Sequence, residues 1–161
     1  MLGKIFVLDF QQACLFLGYC LIHFLLSDLR LAFLVHLTTS YALTGKLATV
    51  RKNGSPHVAP VWFVLDEDNN YDVILTTWNK SIKGKNIIRN PRVGISVDDQ
   101  KPSYSFIIIN GIAQISEEPS DLLKWATKIA ERYVGKDNAE SYGKRNSVKG
   151  ELLIRVNQDH W

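Results

Sequence analysis

The spacing of apolar positions changes character twice along the chain. Residues 1–40 are dense in apolar side chains, with no formally charged residue from Phe10 to Ser27, and read as helical. From Leu43 the period drops to two. Leu43, Gly45, Leu47 and Thr49 alternate with Thr44, Lys46, Ala48 and Val50, which predicts a first strand within 43–52. Lys52-Asn53-Gly54 predicts a hairpin turn, because Asn-Gly takes positive φ readily. Ser55–Leu65 predicts a second strand. Pro56 and Pro60 remove ladder donors from it, so it is an edge, bent, or turned toward a ligand. Asp66–Asn70 predicts a solvated turn, and Tyr71–Thr77 a third strand.

The period then lengthens. Ile82, Ile87 and Ile88 among polar neighbours predict a short helix over Lys80–Asn90, stopped at Asn90-Pro91 because a residue before proline avoids the α region. Arg92–Val97 predicts a fourth strand and Tyr104–Ser116 a long fifth, with Gly111 as a bulge or bend. Glu117–Val134 is an amphipathic helix, with Pro119 in its first turn and Ser116 or Ser120 as cap. Its expected buried stripe is Leu122, Leu123, Ala126, Ile129 and Ala130. Gly135–Gly150 is polar, with a short helix near Ala139–Lys144, and Glu151–Val156 predicts a last strand. Six strands without regular β-α alternation predict a mainly β fold, a barrel with peripheral helices, rather than a doubly wound sheet. The expected division is an apolar helical segment over 1–40 and a barrel domain over 41–161.

A length of 161 residues suits one such domain. The net charge of +3 favours an anionic ligand or partner without naming one. Cys14 and Cys20 show no metal-ligand spacing and would face different sides of one helix; two buried thiols and a cytoplasmic location are expected. The apolar N-terminus admits three readings. These are a membrane anchor or signal, with membrane contact through residues 1–30, a helix docked on the barrel, and a start placed too far upstream.

The chemistry concentrates in Leu75–Arg92. A strand ending in Thr76 and Thr77 runs into a helix start that carries Lys80, Ser81, Lys83 and Lys85. Clustered cations, hydroxyl donors and the exposed N–H groups of a helix N-terminus suit a phosphate or polycarboxylate tail, with Lys83 best placed about one turn in. The plainer alternative is a solvated basic helix face. The second stretch is Ser55–Phe63. Its two prolines, Pro56 and Pro60, leave gaps in the ladder, where exposed backbone can meet a flat ring and Trp62 and Trp78 can wall it. Trp62 and Phe63 also suit plain barrel core, and His57 is a lone histidine. No hydrolytic constellation is present, and Asp98 and Asp99 are adjacent, so on a strand they face opposite sides. No catalytic side chain and no metal ligand is assigned. A redox cofactor carrying its own chemistry fits that lack.

Four blocks, KLATVRKNGSPHVAPVWFVLD, KGKNIIRNPRVGISVDD, INGIAQIS and WATKIAERYVG, resemble the pyridoxamine 5'-phosphate oxidase-like split-barrel flavin proteins, and most the branch of deazaflavin (coenzyme F420)-dependent oxidoreductases. The likeness spans roughly residues 43–157. It implies a six-stranded antiparallel split barrel and a homodimer with the cofactor groove at the interface. It also implies hydride transfer between coenzyme F420, or FMN as second choice, and a small organic substrate. By that resemblance the cofactor contacts are Ala59, Pro60, Val61, Trp62, Thr76, Thr77, Lys80, Ser81, Lys83 and Asn86. Ile74 lies on the same cofactor-facing strand, and Arg89 and Arg92 are structural or tail-contacting. The second strand lacks the basic pattern of true pyridoxamine phosphate oxidases and the chain ends at Trp161, so that oxidation is not expected. Ser81 stands where some deazaflavin relatives have arginine, which bears on the choice between the two cofactors.

Two rival functions remain. One is a non-catalytic flavin carrier or sensor on the same fold. The other is a nucleic-acid-binding barrel, which the interspersed Asp66, Glu67, Asp68, Asp98, Asp99, Glu117 and Glu118 oppose by breaking any basic stripe.

Overall fold

The computed structural model describes residues 42–101 and 106–158. The expectations for 1–40, both cysteines, the first two residues of the fifth predicted strand, and Trp161 lie outside the described residues. The chain divides into two compact units, Thr44–Val97 with Ile108–Trp161, and Met1–Leu43 with Asp98–Ile107. The barrel belongs to the first. In the second, Asp99 Oδ1 accepts from the Lys101 backbone N–H at 2.9 Å.

The elements in chain order are β1 (Gly45–Val50), β2 (Pro56–Val61), β3 (Val64–Asp66), β4 (Asp72–Trp78), α1 (Ile82–Arg89), β5 (Arg92–Asp98), β6 (Phe106–Ser116), α2 (Pro119–Val134), α3 (Lys136–Arg145) and β7 (Glu151–Gln158). The seven strands form one sheet in the order β2-β1-β5-β6-β7-β4-β3. β1 pairs antiparallel with both β2 and β5, and β4 with both β3 and β7. The fold is the expected split barrel, with one strand more than expected because the second predicted strand is broken at Trp62–Phe63. That break defines the architecture. β2 and β3 are the two outer strands of the sheet, yet only two residues separate them in the chain. The sheet must curl to bring its edges together there, since three Cα steps span at most about 11 Å.

Period-two patterning builds the core. Gly45, Leu47 and Thr49 of β1 point inward, as do Val93, Ile95 and Val97 of β5. Phe63, Leu47, Ile74, Leu75, Ile87, Ile95, Ile109 and Ile154 are fully enclosed. β2 is an edge, as its two prolines require, and both prolines stand on its exposed side. In the β1–β2 hairpin only Gly54 of the Asn-Gly pair has positive φ, at 85°. Asn53 instead accepts from Ser55 through its Oδ1.

Local expectations need correction at Asp66 and on α2. Asp66 is no part of a solvated turn: it is 2% exposed and bonded to Arg155. Gly111 is a point of close approach to β7. The ladder to β7 is continuous from Gly111 to Ser116, and a Cβ on Gly111 would lie 2.1 Å from the Asn157 carbonyl oxygen. On α2 the buried stripe is Leu122, Trp125, Ala126, Ile129 and Ala130, while Leu123 is 40% exposed. The cap of α2 is Glu118 without a side-chain cap bond, and Ser116 Oγ accepts from the Glu118 N–H just ahead of it. No helix among the described residues is long and apolar enough to cross a membrane.

Candidate functional site

The β3–β4 ladder begins at Val64 opposite Ile74. Continued outward, that register would set Trp62 opposite Thr76 and Val61 opposite Thr77. The chain instead turns onto β1, where Val61 pairs with Gly45. β2 and the C-terminal half of β4 therefore form the two lips of a split in the barrel wall. The predicted residues Ala59, Pro60, Val61 and Trp62 stand on one lip, and Thr76 and Thr77 on the other. Among the described residues, backbone groups along both lips have no strand partner on that side, which leaves polar groups for the rim of a planar ligand. Val61 itself sends its side chain into the core, at 5% exposure.

α1 begins where β4 ends. Ser81 is its N-cap: the Ser81 Oγ accepts from the Gly84 N–H at 3.0 Å and pairs with the Thr77 hydroxyl at 3.1 Å. The first turn carries no acid; Lys83 is half-buried there, with Lys80 and Lys85 exposed on either side. A helix N-terminus is partially positive and ordinarily attracts Asp or Glu, so this arrangement leaves positive charge uncompensated by its own helix. Glu151, opposite Trp78 in the β4–β7 ladder, is the group that faces it. Burial pushes the Glu151 carboxyl above its usual range, against the opposing pull of the Lys83 ammonium. No local signal marked Glu151, because β7 lies far along the chain and only strand pairing brings it to α1.

Asn86 is turned inward. Its Nδ2 donates to Thr49 Oγ1 at 3.0 Å, its Oδ1 accepts from Arg89 at 3.4 Å, and Arg89 also donates to the Val50 carbonyl. Asn86 and Arg89 thus fasten α1 to β1. Thr49 Oγ1 in turn donates to the His57 carbonyl at 3.3 Å, linking the fastening to β2. Gly84 is needed for the opposite end of the same helix, since a Cβ there would sit 2.4 Å from the Trp78 carbonyl oxygen. Gly84→Ala should therefore destabilise the fold by roughly 1–3 kcal/mol, overriding the ~1 kcal/mol that alanine ordinarily gains over glycine in a helix. Urea denaturation checks this, and a stabilised variant would mean α1 is not seated so tightly.

Trp62 is 37% exposed and lies flat on Tyr133 of α2, with centroids 4.8 Å apart and planes 2° from parallel. Trp78 is 40% exposed and covers Gly150, where a Cβ would come within 2.6 Å of its ring. A separate open hollow of about 410 Å³ is lined by Ala48, Thr49, Val50, Pro56, Arg92, Val93, Gly94, Asn110 and Gly111. None of the ten predicted contacts borders it; of the wider set, only Arg92 does.

The chain belongs to the pyridoxamine 5'-phosphate oxidase family, whose sequence model matches residues 38–158. It is 36% identical over 75 residues to the 5a,11a-dehydrotetracycline/5a,11a-dehydrooxytetracycline reductase of Streptomyces rimosus, covering 44% of this chain and 53% of that protein. The chain thus spans about half the length of that curated relative. Among solved structures it is similar to the conserved hypothetical protein Rv2991 of Mycobacterium tuberculosis, at 26% identity and TM-score 0.69 over 80% of each chain. It is also similar to an F420 reductase, at 26% identity and TM-score 0.59, over 78% of this chain and 93% of that one.

Proposed function

We propose that the protein is an oxidoreductase that seats a flavin-type cofactor, coenzyme F420 or FMN, in the split between β2 and β4. The anionic tail rests against Lys83 at the start of α1. The observation that carries this reading is the juxtaposition of the change of strand partner between β2 and β3, which leaves Thr76 and Thr77 without a β3 partner, with an acid-free, lysine-bearing helix start. Two of the similar proteins are reductases by name, which supports the same reaction class.

The residues present suit such a group. Lys83, with Lys80 and the α1 N–H groups, neutralises and orients the tail. The backbone of Ala59–Trp62 and of Thr76–Thr77 offers hydrogen bonds to the ring edge. When bound, the reduced ring supplies the hydride. The protein's part is orientation and exclusion of water, so no side chain is given a proton-transfer role. Exposed Val58, Ile108 and Ile112 leave apolar surface on the barrel, at 62%, 50% and 37% exposure. We assign that surface to a second copy, in a homodimer whose interface completes the cofactor groove; sedimentation of a monomer at micromolar concentration would remove it.

Parallel fluorescence titrations with FMN and coenzyme F420 test the reading. One of the two should bind, and Lys83→Ala should weaken it by about 1–3 kcal/mol, the range for a charge-assisted hydrogen bond. Unchanged affinity takes Lys83 out of the site, and binding of neither cofactor sinks the assignment.

A further inference from the structure

Phe63, at the seam where β2 gives way to β3, has neither of its backbone polar groups accounted for by the β1–β2 or β3–β4 ladder. Two consecutive side chains of α2 take them instead. The Phe63 N–H donates to the Tyr133 hydroxyl at 3.3 Å, and the Phe63 carbonyl accepts from Arg132 at 2.8 Å. The Arg132 guanidinium also lies over the Phe63 ring at 4.5 Å and the Tyr133 ring at 5.2 Å. Tyr133, held this way, stacks face to face on Trp62. Tyr142 of α3 leans toward the same indole, 6.5 Å away and tilted by 32°.

We propose that Arg132 and Tyr133 are positioning residues for the cofactor ring, a side-chain clamp that replaces the missing ladder at the seam and thereby fixes the plane of Trp62 on the lip of the split. This rests on the placement of the ring in the split. At the seam the chain changes strand partners, from β1 to β4, and neither ladder includes residues 62 and 63, so neither sets their orientation. Two hydrogen bonds and a stack from one helix turn set it. Burial pushes the Tyr133 phenol above its usual range, with the Arg132 charge and the Phe63 hydrogen bond pulling the other way. The clamp acts on the ring alone, whereas Lys83 acts on the tail alone. Loss of each should therefore show a different ligand dependence.

The test uses the full chain and two probes: whichever intact cofactor the wild type binds, and its tail-less headgroup (riboflavin for FMN, the deazaflavin headgroup for coenzyme F420). Tyr133→Leu should weaken both by about tenfold, the upper end of what a stacked aromatic pair contributes. Tyr133→Phe, which keeps the stack, should restore most of that. Lys83→Ala should weaken the intact cofactor and leave the headgroup unchanged. Without any cofactor, hydrogen exchange at the Phe63 amide should run about tenfold faster in Tyr133→Phe, as one lost hydrogen bond allows. If Tyr133→Leu fails to fold, Arg132→Lys takes its place, since it keeps the charge but loses the planar face over Phe63; headgroup affinity should again fall. Wild-type binding with unaltered headgroup affinity in these variants overturns the clamp and leaves the cofactor assignment standing. Unaltered exchange at Phe63 overturns it as well. Failure of the wild type to bind either cofactor overturns both.

Discussion

Replacing Arg155 by Met should destabilise the barrel by about 3–5 kcal/mol at neutral pH, the range for removing one partner from a buried ion pair. Arg155 of β7 serves two enclosed carboxylates. It donates to Asp66 Oδ2 at 2.5 Å and to Asp72 Oδ2 at 3.4 Å, and the two aspartates are 2% and 5% exposed. These aspartates face each other as the last pair of the β3–β4 ladder. Without the guanidinium, two like charges would share a dry site. Burial works to raise the Asp66 carboxyl, but the hydrogen bonds from Arg155 and Asn69 and the Arg155 charge overcome it and hold Asp66 below the ordinary range. At Asp72 burial prevails, and with the repulsion from Asp66 it outweighs Arg155 and Asn157, so Asp72 lies above that range. The two contribute opposite slopes. Asp66 adds stability that is present above its unfolded value of about 3.9 and is lost as pH falls through its lower folded value. Asp72 binds its proton more readily when folded, so acidification through its raised folded value favours the fold. In Arg155→Met both carboxyls lose their cation and both move upward. The variant should therefore recover part of its deficit as pH falls from 7 toward 5, which urea denaturation at the two pH values would show. A deficit that is small, or that does not change with pH, would mean the three side chains are solvated in practice.

Asp66 shows where sequence reading reaches its limit. Asp66-Glu67-Asp68-Asn69-Asn70 is acidic and turn-like, and four of those five residues are exposed as such a run predicts. The fifth is buried because β7, some ninety residues later, delivers Arg155 to it. Nothing local encodes that meeting. The same holds for Glu151 and Lys83, and for Phe63 with Arg132 and Tyr133. The elements themselves were legible wherever one face is buried. β1, the β1–β2 hairpin, α1 and the edge character of β2 follow from alternation, Asn-Gly, the Asn90-Pro91 stop and two prolines. The break at Trp62–Phe63 was not, because Val61-Trp62-Phe63-Val64-Leu65 is uniformly apolar and gives no punctuation. The stretch that reads as one strand is the seam of the barrel. The two candidate segments were found by residue type. That they lie on opposite lips of one split is a fact of register, which only strand pairing supplies.

Trp125→Ala should cost about 3–5 kcal/mol, against no more than about 0.5 for Leu123→Ala, though the sequence pattern assigned burial to Leu123. Positions 122, 125, 126, 129 and 130 follow the i, i+3, i+4, i+7, i+8 spacing of one helical face, whereas 123 lies about 100° around the helix from 122. The adjacent leucines disguised that phase, since either could have begun the stripe. In the structure Trp125 is 4% exposed and packs with Ile74, Leu122 and Leu153, joining α2 to β4 and β7. Lys128 and Lys124 lie over its ring at 4.7 and 5.1 Å, and the Arg155 guanidinium at 5.7 Å. Trp125 thus stands between the apolar core and the buried ion cluster, and its loss both opens a cavity and removes an aromatic face beside Arg155. The two large-effect substitutions should consequently not add. The double variant Trp125→Ala with Arg155→Met should fall short of the sum by about 0.5–2 kcal/mol, as expected for a partly desolvated cation over an aromatic ring. Thermal and urea unfolding of the four proteins give the cycle. Strict additivity would mean the ring and the guanidinium do not sense each other, and a costly Leu123→Ala would mean that α2 presents a different face to the sheet.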